Sequence, residues 1–257
     1  MKEKIDRADK VLVALGHFES RAGAQAAIAA GRVYVGARAL KKASEKIRLN
    51  AKIHAEPEHP WVSRGGMKLA HALDVFDVSV AGRACLDIGS STGGFTDVLL
   101  SKGASKVIAV DVGRGQLHSR LRTDQRVISM EETDARSLTA EQVRGVDLIV
   151  CDASFISLSK LLGVPLSLMP PDADLITLFK PQFEVGRENI GKGGIVTDKT
   201  ATNRAEANFV EWLSLQGWPV SGRVDSPITG ADGNQERLIW AIRITSQSPS
   251  KSFSDTI

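Results

Sequence analysis

The sequence predicts an α/β protein with a doubly wound, mostly parallel sheet of seven strands, preceded by a small α+β domain. Three observations lead to this fold class. Apolar strand-like runs alternate with helical segments after residue 60, the first of these strands runs into a glycine-rich turn, and the preceding residues are basic and patterned differently. With 257 residues, the chain is long enough for a small domain and a medium one.

The N-terminal part is predicted to contain two short helices and a small hairpin. Val11, Leu12 and Leu15 have helical spacing. Ser20 is a candidate N-cap for an alanine-rich helix that stops at Gly31. Two short strands follow, in RVYVGARAL and EKIRLN.

The first sixty residues carry an excess of positive charge. They contain 12 Lys and Arg against 7 Asp and Glu, although the formal net charge of the whole chain is only +3. Between Arg21 and Lys52 there are eight bases and one acid. A solvated charged face would explain the bases alone, but the lack of acids favours a polyanion-binding surface.

A linker separates the two predicted domains. HAEPEHP contains two prolines and mixed charge without periodicity. We therefore predict a first domain over residues 1–58, a linker over 59–62 and a second domain over 63–246. The polar segment 247–257 is predicted to be a disordered tail.

Seven strands are predicted in the second domain. They are RACLDIG, KVIAVDVG, RVISMEE, VDLIVCDAS, ADLITLFKP, WPVSGRVDSP and ERLIWAIRI. The clearest helix between them is NRAEANFVEWLSLQG. Nearly continuous apolar strands separated by helices indicate a parallel sheet, and the two consecutive strands at the end indicate an antiparallel closing edge.

Composition argues against several classes of protein. No segment approaches the roughly 20 unbroken apolar residues of a membrane span, and MKEKIDRADK lacks the apolar region of a signal peptide. Cys85 and Cys151 lie in apolar strand-like runs, which favours buried thiols over a disulfide or a zinc site. We therefore expect a cytoplasmic protein that needs neither a membrane nor a metal.

The stretch CLDIGSSTGGFTDVLL predicts a strand, a glycine-rich turn and a helix, a common cradle for nucleotide-like ligands. A dinucleotide fingerprint would need a glycine where the chain has Ser91, although Gly89 and Gly94 fit the pattern. A P-loop fits worse, because no Gly-Lys-Ser/Thr opens the helix.

Asp87, just before the turn, helps to discriminate between candidate ligands. A pyrophosphate would be repelled by this carboxylate, whereas a ligand with an ammonium and a sulfonium would be attracted. S-adenosyl-L-methionine is such a ligand, and NAD remains the alternative. Asp111, at the next strand end, is placed for the ribose hydroxyls, and Asp134 for the adenine amino group. The predicted cofactor site comprises Asp87, Gly89, Ser90, Ser91, Gly93, Gly94, Phe95, Asp111, Val112 and Asp134.

Two further strands end in residues that carry chemistry. Asp152 follows the fourth strand and Lys180 the fifth, at the edge where open α/β sheets bind ligands. A lysine between an apolar strand and a proline is oddly placed for a solvated charge, although a snorkelling lysine is the plain alternative. In a pocket with a cation and apolar walls, such a lysine can lose its proton and act as a base.

The N-terminal segment RADKVLVALGHFESRAGAQAAIAAGRVYVGARAL resembles the S-four-like RNA-binding module, also called the αL motif. This module is shared by a small-subunit ribosomal protein and several RNA-modifying enzymes. Its members usually have an Asn-Gly turn where this chain has Gly36 and Ala37.

Six ordered motifs after this module resemble the TlyA family. They are WVSRGGMKLAHAL, LDIGSSTGGFTD, VDVGRGQL, CDASFISL, LFKPQFEVGR and GKGGIVTD. The family, also called haemolysin A, consists of S-adenosylmethionine-dependent rRNA 2′-O-methyltransferases with an FtsJ-like catalytic domain. The resemblance therefore implies a Rossmann-like class I methyltransferase sheet and methylation of cytidine in ribosomal RNA. Relatives differ in whether one or both ribosomal subunits are modified.

FtsJ-like enzymes use a Lys-Asp-Lys-Glu tetrad. The resemblance carries it over to Lys68, Asp152, Lys180 and Glu236. Because a ribose 2′-hydroxyl is a poor nucleophile at neutral pH, a base must take its proton, and Lys180 is assigned this role. Lys68 is assigned to stabilise the developing oxyanion, while Asp152 and Glu236 orient the lysines. No metal is required.

The basic residues suggest how RNA is held. Phosphate contacts would position the substrate without reading its sequence. The candidates are Arg21, Arg32, Lys41 and Lys42 in the first domain and Arg64 beside Lys68 in the second. Two rival classes are a membrane-lytic haemolysin, which lacks a spanning segment in the sequence, and a non-catalytic ribosome-assembly factor, against which the intact tetrad argues.

Overall fold

The computed structural model describes residues 5–244 and divides into two compact units, Met1–Pro60 and Trp61–Ile257. The division falls inside the segment predicted as the linker. Trp61 and Val62 nevertheless pack against the core of the second unit, and the Val62 N–H donates to Asp97 Oδ2 at 2.8 Å. The predicted tail 247–257 lies outside the described residues.

Over residues 5–60, the first unit contains two helices and five short strands. They are β1 (Ile5–Arg7), α1 (Ala8–Ala14), α2 (Arg21–Ala29), β2 (Val33–Val35), β3 (Arg38–Ala39), β4 (Lys46–Arg48) and β5 (Ile53–Ala55). Strands β1 and β4 pair antiparallel, and β2 lies between β3 and β5 in a second antiparallel sheet. The helices cover a small apolar core that includes Leu12, Ile28 and Leu40.

The predicted helix boundaries of this unit are confirmed at α2. Ser20 accepts a hydrogen bond from the Gly23 N–H at 3.2 Å, and Gly31 follows the helix with a φ of 71°. Leu15 lies one residue past α1 and is exposed. Strand β5 was not predicted, and it takes up the first two residues of the HAEPEHP segment.

The second unit alternates strands and helices. Its strands are β6 (Ala84–Ile88), β7 (Lys106–Val110), β8 (Val127–Met130), β9 (Leu148–Cys151), β10 (Asp174–Phe179), β11 (Val220–Asp225) and β12 (Arg237–Ile242). Its helices are α3 (Gly65–Phe76), α4 (Gly94–Ser101), α5 (Ser119–Arg122), α6 (Leu158–Ser167), α7 (Pro181–Glu184) and α8 (Lys199–Leu215). Each of the seven predicted strands is present.

The seven strands form one sheet in the order β11-β12-β10-β9-β6-β7-β8. Strand β12 is antiparallel to both of its neighbours, and the remaining adjacent pairs are parallel. The prediction of an antiparallel closing edge is therefore corrected in one detail. The antiparallel strand lies one place inside the edge, because β12 inserts between β10 and β11.

Alternate residues of the central strands face two apolar layers, as a sheet covered on both faces requires. In β9, Ile149 and Cys151 face the layer that holds α6 and α8, while Leu148 and Val150 face the layer that holds α3 and α4. Cys85 and Cys151 are buried and unpaired, as predicted. No helix within residues 5–244 is long and apolar enough to cross a membrane.

Candidate active site

Strand register brings the predicted site residues to one edge of the sheet. Ile88 is paired with Val110 on one side and with Cys151 on the other. Gly89, Asp111 and Asp152, the residues that follow these three, therefore lie side by side. Phe179, the last residue of β10, pairs with Arg237, the first residue of β12. Lys180 follows β10 and Glu236 precedes β12, so these two residues lie at the same edge of the sheet.

The glycine-rich turn between β6 and α4 lies tightly against its neighbours. Gly89 has a φ of 78°, and a Cβ atom there would lie 2.9 Å from the Cα of Ala153. A Cβ atom on Gly94 would collide with Ser63 Oγ and lie 3.0 Å from the Gly66 N. These two positions must therefore remain glycine for the turn to keep its packing against the neighbouring segments.

Gly93, a predicted cofactor residue, has a packing role in the structure. It has a φ of 96° at the start of α4, and a Cβ atom there would collide with the Leu121 side chain. Gly93 lines neither of the two cavities at this edge of the sheet. A glycine is needed at position 93 because the Leu121 side chain occupies the space that a Cβ atom would take.

Asp87 was also predicted at the cofactor site. Its side chain is fully buried and is not among the residues that line the two cavities. Its Oδ2 accepts a hydrogen bond from Thr96 Oγ1 at 2.6 Å, whereas its buried Oδ1 has no partner. Asp87 thus holds the first turn of α4, and its contact with a cofactor stays a prediction.

The burial of Asp87 predicts a pH dependence of stability. Burial raises its pKa from 3.8 to about 7, although the Thr96 hydroxyl opposes this. Between these values the folded protein holds a proton that the unfolded chain releases, so the free energy of unfolding should fall as pH rises from about 4 to about 7. We expect Asp87→Asn to flatten this dependence and to raise the melting temperature at pH 8.

Thermal unfolding of both proteins at pH 5 and pH 8 tests this expectation. Burial also raises the pKa of Glu184 to about 7, so wild type retains a second contribution in the same window. The test is therefore whether the change in melting temperature between pH 5 and pH 8 is smaller for Asp87→Asn than for wild type. An equal pH dependence in both would contradict the assignment to Asp87.

A cavity of about 370 Å³ lies beyond the turn, and we call it the carboxylate cavity. The charged side chains among the described residues that line it are all acidic: Asp111, Asp134 and Asp152. Asp111 accepts the Ser91 N–H at 2.8 Å and the Gly113 N–H at 2.7 Å, which fixes its carboxylate at the rim. Three carboxylates favour a ligand that carries positive charge and disfavour the pyrophosphate of NAD.

The remaining lining of the carboxylate cavity is apolar in part. Val112 is 74% exposed beside Asp111, and Ile156 and Leu161 lie on the same cavity. Asp134 is held by Arg136, whose Nη2 lies 2.6 Å from Asp134 Oδ2. Volume, apolar walls and acidic groups fit S-adenosylmethionine, which combines an adenine, a ribose and two cationic groups.

A second cavity of about 310 Å³ adjoins the first, and we call it the lysine cavity. The two cavities share Gly89, Ser91, Asp152 and Ser154. Ser90, Gly94 and Phe95 line the lysine cavity only. Phe95 is also part of the apolar core, so that its ring closes the floor of the cavity.

Lys180 is held on three sides at the base of the lysine cavity. Its Nζ lies 2.7 Å from Asp152 Oδ1, an ion pair without hydrogen-bond geometry. The same Nζ donates to Ser154 Oγ at 2.8 Å and to the Asp152 carbonyl oxygen at 3.2 Å. Only 8% of Lys180 is exposed, which excludes the alternative of a lysine that snorkels to solvent.

Lys68 and Glu236 form the second pair. Lys68 projects from α3 into the lysine cavity, and its Nζ lies 2.5 Å from Glu236 Oε2. Glu236 is 2% exposed, and burial raises its pKa while the Lys68 ammonium opposes the shift. The structure thus brings the four predicted catalytic residues together as two lysine–carboxylate pairs.

Two residues beside the site were not singled out in the sequence. Ser154 accepts a hydrogen bond from Lys180, and Phe155 is 91% exposed with a φ of 68°. Phe155 lines the carboxylate cavity and lies against Phe183, with ring centroids 5.2 Å apart. The sequence signal for Ser154 and Phe155 was their position just after Asp152, at the end of a strand.

The predicted RNA-binding residues are dispersed. Arg64 is exposed and lines the lysine cavity. In the first unit, Arg21 is tied to the buried Asp9, with its Nη2 2.7 Å from Asp9 Oδ2. Lys41 and Lys42 have exposed side chains. Arg21 therefore has a structural role that its basic charge alone did not indicate.

Arg32 is exposed at the start of β2, and its Nη1 lies 3.8 Å from Glu56 Oε2. An exposed ion pair at this distance contributes little and leaves the guanidinium accessible. Within residues 5–244, no group of three or more His, Cys, Asp or Glu side chains is arranged to hold a metal ion.

The sheet, the glycine-rich turn and the carboxylate cavity define a class I methyltransferase that takes S-adenosylmethionine as its cofactor. The family model of FtsJ-like methyltransferases matches residues 61–243, and that of the S4 domain matches residues 6–53. The chain belongs to the TlyA family of FtsJ-like methyltransferases.

Individual relatives resemble the chain over nearly its full length. The 16S/23S rRNA (cytidine-2′-O)-methyltransferase TlyA of Mycobacterium tuberculosis is 45% identical over 91% of this chain and 88% of its own. Hemolysin A of Brachyspira hyodysenteriae is 39% identical over 90% and 98%. A solved structure from Streptococcus thermophilus has a TM-score of 0.73 and 37% identity, over 94% of this chain and 90% of that one.

Proposed function

We propose that this protein transfers a methyl group from S-adenosylmethionine to the ribose 2′-hydroxyl of a cytidine in ribosomal RNA. One observation carries the proposal. Lys68, Asp152 and Lys180 line a cavity that shares four lining residues with a second cavity suited to the cofactor, and each lysine is paired with a carboxylate. Relatives named as rRNA (cytidine-2′-O)-methyltransferases support the substrate class. Such a substrate places the enzyme in the cytoplasm.

Lys180 acts as the base in this proposal. When bound, S-adenosylmethionine supplies an electrophilic methyl group on a sulfonium centre. Lys180 Nζ takes the proton from the 2′-hydroxyl as its oxygen bonds to the methyl carbon, and later releases this proton to solvent. The methyl–sulfur bond would break in the same step, with its electron pair going to sulfur, so that S-adenosylhomocysteine leaves. Asp152 and Ser154 hold the nitrogen in place, since both lie within hydrogen-bond distance of it.

Lys68 stabilises the developing negative charge on the 2′-oxygen. Its ammonium is fixed by Glu236 before the substrate arrives, so no reorganisation is needed during the reaction. Glu236 does not line the lysine cavity and acts only through Lys68.

RNA must present a single nucleotide to this cavity. Arg64 at the rim would hold a phosphate next to the target, and the exposed ring of Phe155 would stack on the nucleobase. The exposed bases of the S4 unit, Arg32, Lys41 and Lys42, would supply further phosphate contacts.

Transfer of labelled methyl groups to unmodified 30S subunits, 50S subunits and 70S ribosomes tests the proposal. We expect label in the RNA of at least the large subunit, at one position that mapping identifies. Label in the small subunit as well would show that both are substrates. No transfer to any of the three, from protein that binds the cofactor, would contradict the proposal and favour a non-catalytic assembly factor.

A further inference from the structure

The outer face of the sheet β3-β2-β5 in the S4 unit carries two aromatic rings. Tyr34 on the central strand lies directly opposite His54 on β5, and their ring centroids are 6.3 Å apart at an angle of 45°. Both residues are exposed, whereas their neighbours Val33, Val35 and Ile53 pack against the core of the unit. These two rings form a solvent-facing surface, which we call the Tyr34 face.

Basic side chains flank the Tyr34 face at both ends. Because side chains alternate along a strand, Arg32 projects on the same side as Tyr34, and Lys52 projects on the same side as His54. Both are exposed. Glu56 also lies on this side, where its carboxylate contacts His54 Nε2 at 3.3 Å and helps to fix the ring. Two cations, two rings and one acid make a surface that complements a nucleic acid strand.

We propose that the Tyr34 face binds single-stranded RNA, with a nucleobase stacked on Tyr34 and His54 and the adjoining phosphates held by Arg32 and Lys52. Aromatic rings between basic residues are a common arrangement for unpaired RNA, because every base has a face to stack and every nucleotide a phosphate to neutralise. A duplex hides its base faces and cannot use the rings. This inference rests on the proposed function, since it supplies a second RNA contact outside the catalytic unit.

Tyr34 is the single tyrosine of the chain, which gives the test a specific signal. Full-length protein in which 3-fluorotyrosine replaces tyrosine has one fluorine resonance from the ring itself. We expect single-stranded RNA of about ten pyrimidine nucleotides to shift this resonance. A duplex of the same length should leave it nearly unchanged.

Variants separate stacking from charge. Tyr34→Ala should weaken binding of the single strand roughly tenfold, as loss of one base–aromatic stack does, whereas Tyr34→Phe should retain binding. Arg32→Ala should lower the salt dependence of binding by about one phosphate contact. Leu15→Ala, which removes an exposed apolar side chain outside this sheet, is the matched control and should have no effect.

A methyl-transfer assay distinguishes this inference from the proposed function. Tyr34→Ala should raise KM for the ribosomal substrate and leave kcat unchanged. If the resonance does not respond to single-stranded RNA, or responds equally to the duplex, the inference is overturned even where methyl transfer is normal. A response to RNA-free ribosomal protein but not to RNA would overturn it in favour of a protein-docking face.

Discussion

Replacement of Lys180 by alanine should lower the rate of methyl transfer by about 10²–10⁴-fold, the usual contribution of a positioned general base. Cofactor affinity should change little, because Lys180 lines the lysine cavity and not the carboxylate cavity. Single-turnover rates and calorimetric titration with S-adenosylmethionine measure the two quantities. Lys180→Arg should be equally slow, because a guanidinium retains the charge but cannot accept the proton.

Lys160→Ala is a matched control for this prediction. Lys160 is an exposed lysine on α6, and its loss removes the same charge without touching either cavity. We expect its rate to equal that of wild type. A Lys180→Ala protein that remained folded and transferred methyl groups at the wild-type rate would contradict the role of Lys180 as the base.

Glu236→Ala should produce the largest loss of stability among the site variants, about 3–5 kcal/mol in the free energy of unfolding. The substitution leaves the Lys68 ammonium buried without its carboxylate partner. Methyl transfer should fall as well, because Lys68 is no longer held in the lysine cavity. Urea denaturation of the full chain measures the first effect.

A double variant tests the physical reason for this prediction. Lys68→Met in the Glu236→Ala background removes the uncompensated charge and should recover a large part of the lost stability, without recovering activity. Lys68→Met alone should cost less than Glu236→Ala, because burial already raises the pKa of Glu236 and lets it take a proton. Equal unfolding free energies for Glu236→Ala and wild type would contradict the buried pair.

The central strands of the catalytic unit, such as β6, β7, β9 and β10, could be predicted because each has an apolar run followed by a recognisable residue. Strand β12 illustrates the limit of such a prediction. Its apolar run identifies a strand, but its place between β10 and β11 follows from pairing between distant segments. Strands β1 and β5 were missed because IDR and IHA each contain a single β-branched residue next to polar ones, which gives no strand pattern.

The candidate site could be predicted in part from strand ends and in part only from family resemblance. Asp111, Asp152 and Lys180 follow apolar strands, and the structure places all three at the cavities. Lys68 and Glu236 have no local signal, since Lys68 lies within helix α3 and Glu236 lies just before the internal strand β12.

The packing roles of Asp87 and Gly93 have a common cause. At a strand end and in the turn that follows it, neighbouring residues point to the ligand space or to the protein interior, and tertiary packing decides which. Asp87 turns towards Thr96, and Gly93 faces Leu121. A sequence pattern identifies the turn but does not show which of its residues face the cavity.

The identity of the methylated nucleoside is the most direct test of this account. Ribosomal RNA labelled by the protein would be digested to nucleosides, separated and measured by mass spectrometry. If the two lysine–carboxylate pairs activate a ribose hydroxyl, the label will be found in 2′-O-methylcytidine and will be absent with Lys180→Ala. Label on a nucleobase, or label that survives the loss of Lys180, would contradict it.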